Sequence, residues 1–173
     1  MPFYKISKLE AARRQLQTAI KLFFNDGDSI SIHTLAAAAY TILRDLADDQ
    51  KMIIEDEVLS LVKDEMRSTF IKKMKEPQNF FKHADKDPKN ELRFNPKFND
   101  IRLFYAVWLY NQFSDDLSFW IQSYKVWFIV NNSDLFIGLG EPYLSQAAKM
   151  SKENFSKSDF IKLMKEINSK YIN

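Results

Sequence analysis

The 173-residue sequence holds no cysteine, three glycines and five prolines. Without cysteine there is no disulfide framework and no thiolate metal site. Gly27, Gly138 and Gly140 are too few and too scattered for a glycine-rich phosphate loop. A Gly-x-Ser-x-Gly elbow, a His-Glu-x-x-His pair and a calcium-loop pattern are also missing, which argues against nucleotide hydrolysis, acyl transfer and zinc protease chemistry. Charge of one sign is lacking too: 25 Lys+Arg against 23 Asp+Glu leave +2, which excludes polycation character but not a local basic patch. The longest uncharged run in the most apolar region, Leu103 to Ser114, is 12 residues. A membrane span needs ~20, so two buried helices are expected there and no membrane association. No apolar core follows the first residues, where Glu10, Arg13 and Arg14 arrive at once, so the expected location is cytoplasmic. Nineteen lysines against six arginines, with frequent Asn and Ile, suggest a bacterial source.

What is present is ordinary globular material, 46% hydrophobic and 28% charged. The length suits one domain over residues 1–173 that buries ~70% of its unfolded surface. Sparse turn residues and sustained 3.6-residue periodicity predict an all-α, single-domain bundle of six to seven helices, with one irregular loop near residues 85–99. The first helix is expected over Ile6–Phe24 and ends at Asn25-Asp26-Gly27, where Gly or Asn can turn left-handed. The second starts at Asp28 or Ser29 and forms a tight hairpin with the first. A third spans about Ile54–Lys75 and stops before Pro77, and a short one follows over Gln78–Ala84. Further helices are read at Asp100–Phe113, Asp116–Val130, Pro142–Met150 and Ser158–Tyr171. The stretch from Ile101 to Ala148 carries six charges and 12 of the 25 aromatics, which marks it as core. Trp108, Trp120 and Trp127 are expected to be substantially buried.

Both histidines sit in unusual settings. His33 lies near the start of the second helix, beside Tyr40 and Arg44 on one helical side. The bland alternative is an enclosed histidine bonded to a backbone carbonyl. His83 follows Asn79 by four residues, so the two share a face, and Asp85 or Asp87 can orient the imidazole. Phe80 and Phe81 can pin this segment to the core. If the third helix returns antiparallel to the second, these elements meet in one polar pocket of His33, Tyr40, Arg44, Asn79, Lys82, His83 and Asp85. Such a pocket suits an anionic small molecule or a phosphate. A metal alternative uses His33, His83 and Asp85; no cofactor is indicated.

The segments Ile32-His33-Thr34-Leu35-Ala36 and Asn79-Phe80-Phe81-Lys82-His83-Ala84-Asp85 resemble those of a set of small uncharacterised bacterial all-α proteins. The Asn79/His83 spacing is also similar to the HEPN superfamily of helical nucleases and nucleotide-binding proteins, although Gln78 stands where that family has arginine. That resemblance implies a metal-independent RNase in which His83 is the acid/base, Asn79 assists, and Lys82 or Arg44 stands in for the arginine. A third reading is a protein–protein interaction module using the Lys-rich last helix or the Pro88–Asn99 loop; self-association is left open.

Overall fold

The computed structural model describes residues 3–52, 64–83, 85, 88–115, 118–132 and 155–171. Among them are six helices and no strand: α1 (Lys8–Phe24), α2 (Ser29–Asp49), α3 (Asp64–Lys82), α4 (Phe98–Asn111), α5 (Phe119–Asn131) and α6 (Lys157–Tyr171). The expected Pro142–Met150 helix and the first part of the expected third helix lie outside the described residues.

The α1/α2 hairpin forms because two stop and start signals abut. Ser7 caps α1 by accepting from the Glu10 amide at 3.1 Å, and Asp28 caps α2 by accepting from Ser31 at 2.7 Å. Between them the Gly27 amide reaches back to the Leu22 carbonyl at 2.8 Å and Asp26 to Phe23 at 3.3 Å, a Schellman closure. The left-handed residue is Asp26, at φ 49°, rather than the Gly27 or Asn25 that the sequence suggested. Lys51, at φ 51°, closes α2 in the same way, with Met52 bonded to Ala47 and Lys51 to Asp48.

The apolar stripes of the two helices, with Ala12, Leu16, Ala19 and Ile20 on one and Ala36, Ala39, Leu43 and Ala47 on the other, are buried. The alanines let the backbones approach closely, and α4 packs on the exposed side of that seam through Leu103, Ala106 and Val107. An aromatic cluster closes the far end. Phe24 stacks on Phe160 at 6.0 Å, Trp127 meets Phe160 edge-on at 5.1 Å, and Tyr124 meets Phe23 at 5.3 Å. The buried Tyr124 hydroxyl donates to the Asp100 carbonyl at 2.6 Å, which joins α5 to the first turn of α4. Trp108, Trp120 and Trp127 are half-buried around this core, less enclosed than the sequence suggested.

Pro77 does not end a helix. It lies inside α3, which runs on to Lys82 and absorbs the short helix expected after it. The proline removes one ladder bond and crowds the carbonyl four residues before it. A neighbouring carbonyl, that of Met74, is met from outside by the Arg102 guanidinium of α4. Continuity through the proline carries the Asn79–His83 face onto the same helix as Ile71 and Met74. Residues 88–97 are irregular, with Leu92 and Phe94 half-buried.

Candidate functional site

Three helices contribute to one cavity of about 430 Å³. From α2 come Tyr40, Thr41 and Arg44, one turn of one face. From α3 come Ile71, Met74, Lys75, Gln78 and Asn79, whose i, i+3, i+4, i+7, i+8 spacing is a single helical stripe. Arg102 and Tyr105, three apart on α4, form the inner wall. The α2–α3 seam beside it is fixed by Gln78, whose amide donates to Thr41 Oγ1 at 3.1 Å, while Thr41 itself donates to Ala37 O.

The electrostatics of this cavity are one-sided. Arg102 is only 4% exposed. One Nη donates to the Met74 carbonyl, the guanidinium lies over the Tyr40 ring at 5.3 Å, and Nε has no hydrogen-bond partner. Tyr40 and Tyr105 meet edge to face at 6.1 Å, so an aromatic wall flanks the charge. Burial pulls the Arg102 pKa below its ordinary value, with Tyr40 and Tyr105 opposing the shift. Arginine starts so high that the group stays charged. Among the described residues no carboxylate lines the cavity and none pairs with Arg102. Arg44 and Lys75 sit at the exposed rim, and Arg44 is paired there with Asp45 at 2.9 Å.

His33 has a different setting. Its ring is fully enclosed, with Phe81 at 5.7 Å and Phe94 at 5.3 Å, both edge-on. Asn99 donates its amide to the Ser29 carbonyl at 2.9 Å, which leaves Oδ1 to accept from His33 Nδ1–H at 3.0 Å. The imidazole is therefore the neutral Nδ1–H tautomer, and the enclosed Nε2 has no partner. Burial lowers its pKa to about 4, aided by the Arg102 charge and opposed by the Asn99 bond. His33 thus ties the irregular loop through Phe94, the end of α3 through Phe81 and the start of α4 through Asn99 to α2.

Of the residues the sequence grouped into one pocket, Tyr40, Arg44 and Asn79 line the cavity with Arg102. His33 does not. His83 is 63% exposed, with Nδ1 4.0 Å from Asp85 Oδ1. His83, Asp85 and Asn79 line a second, open cavity of about 830 Å³, which borders the first through Asn79 and Lys75. Lys82 is exposed and lines neither. Of the residues named for a metal, His83 and Asp85 stand exposed together while His33 is sealed between two phenylalanines, and among the described residues no group of three or more His, Asp or Glu could hold an ion.

The sequence reading missed Arg102 and Tyr105. The available signal was a lone arginine between Ile101 and Leu103 in the most apolar part of the chain. Such a charge must either reach solvent or be held by a built site. No protein-family model, no curated protein and no solved structure matches the chain.

Proposed function

We propose that this protein binds a small anionic ligand in the cavity between α2, α3 and α4. The observation that supports this is Arg102, an enclosed guanidinium beside an open volume with no counter-charge among the described residues. A buried ion left unpaired costs several kcal/mol, and a ligand anion is the partner that relieves it. At the rim Lys75 adds a positive charge, while Arg44 is paired with Asp45. The volume lies within the ~300–1,000 Å³ range of small-molecule sites.

The test is thermal unfolding at low ionic strength against a series of small carboxylates and phosphates. At least one should raise the midpoint of the wild type in a concentration-dependent way. Arg102→Met should abolish that response. A folded protein that responds to none of them, or an Arg102→Met variant that responds like wild type, removes the proposal.

A second reading, HEPN-like RNA cleavage with His83 as acid/base, has one observation in its favour. Asn79 lines both cavities, so the exposed His83 neighbours the cationic one. Metal-independent RNA cleavage that is lost in His83→Ala would favour it over simple ligand binding.

A further inference from the structure

We infer that the ligand is a carboxylic acid with an apolar body, bound with its carboxylate inward against Arg102. This rests on the anion-binding reading above and narrows it to one chemical class. Three observations lead there.

The first is charge balance. Among the described residues the interior holds one cation, because Arg44 and Lys75 stay at the exposed rim and Arg44 is already paired with Asp45. One enclosed positive charge balances a monoanion. A phosphate dianion in the same place would exceed the single enclosed charge.

The second is donor supply. One Nη of Arg102 already serves the Met74 carbonyl, and Nε is without a partner. One of the five guanidinium N–H groups is spent on Met74, and the planar fork that remains matches the two in-plane oxygens of a carboxylate. A phosphate displays more oxygens and is ordinarily met by several converging donors, such as helix N-terminal amides. Here the cavity is bounded by mid-helix faces, whose amides are spent in their own ladders.

The third is the wall. Tyr40, Tyr105, Met74 and Ile71 line the cavity with Arg102 and give a ligand body aromatic, thioether and aliphatic surface. This is the arrangement of a mostly apolar site with one oriented polar anchor. An aryl-alkanoic acid and a medium-chain fatty acid share the required chemistry.

The experiment is isothermal titration calorimetry at pH 7.5 and low salt with 3-phenylpropionate, octanoate, 3-phenylpropionamide and inorganic phosphate. One or both acids should bind with one site per chain. The amide, which keeps the body and loses the charge, should bind about 10- to 100-fold more weakly. Arg102→Met should lose acid binding. Because Arg102 also contacts the Met74 carbonyl, a second variant, Ile71→Trp, blocks the cavity mouth from a partly exposed position and should lose acid binding as well. Preference for the aryl or the alkyl acid identifies which source of the carboxylate the pocket fits. Arg102-dependent binding of phosphate without the acids overturns the carboxylate inference while leaving anion binding in place. Acid and amide binding equally overturns it, and with no binding by any probe the anion-binding reading fails as well.

Discussion

Protonating His33 should destabilise the fold by an amount that follows from its surroundings. The folded pKa is about 4, against 6.5 for the free side chain. Its depression means that the unfolded chain takes up the proton first. Stability from this residue is complete above pH ~6.5 and is lost as pH falls toward the folded value. Integrated from pH 7.5 to 4.5, the loss is about 2.5 kcal/mol for this one group. Other groups titrate over the same range. Asp100 is raised by burial, with Lys157 and Lys97 opposing, and Glu10 is held at about 2 by Arg13 and Arg14. A comparison with His33→Gln cancels them, because glutamine can still donate toward Asn99 but does not titrate. Urea unfolding of both proteins at pH 7.5 and 4.5 is the assay. The wild type should lose about 2.5 kcal/mol more than the variant over that interval. Parallel losses would refute the enclosed, neutral imidazole and the tie it makes to Asn99.

Lys51→Gly should raise stability by up to ~1 kcal/mol in chemical denaturation, because glycine relieves the left-handed φ that closes α2. Asp28→Ala should cost ~1 kcal/mol by removing the α2 cap, read as a lower urea midpoint at unchanged slope. Phe160→Ala should cost ~3–5 kcal/mol, because its ring is almost wholly enclosed against Phe24 and Trp127. Arg102→Met should shift the unfolding free energy by less than ~2 kcal/mol, since relief of the unpaired charge offsets the lost Met74 bond and the Tyr40 contact. A loss well beyond that would make Arg102 a structural cation.

The helices were readable where the pattern itself is the cause. Stripes such as Ala12-Leu16-Ala19 and Ala36-Ala39-Leu43 must be buried, and a side-chain oxygen at Ser7 or Asp28 has free amides to accept from. The departures from the sequence reading have separate physical causes. Pro77 reads as a stop from sequence, yet α3 runs through it with the proline ring buried. Asp26 takes the left-handed position although glycine is the next residue, because the Gly27 amide is the one that reaches Leu22. Tyr40, Arg44 and Asn79 were identifiable as polar residues on defined helical faces. Arg102 carried a signal only as a lone charge among Ile101, Leu103 and Phe104; the cavity it faces is lined from two other helices, which local sequence does not reveal. His33 and His83 stand out in the sequence as its two histidines. Rarity does not say whether an imidazole is sealed between Phe81 and Phe94 or stands in solvent.

The most direct test of the account is the Arg102 Nε–H resonance in a ¹H–¹⁵N spectrum of the arginine side chains, assigned by its absence in Arg102→Met. Enclosure should make this proton exchange slowly with water, and titrating 3-phenylpropionate should move its signal downfield in a saturable way as the carboxylate takes the free donor. A resonance that stays in place while the acid is added to saturating concentration would contradict the claim that Arg102 is the anchor of an anion site.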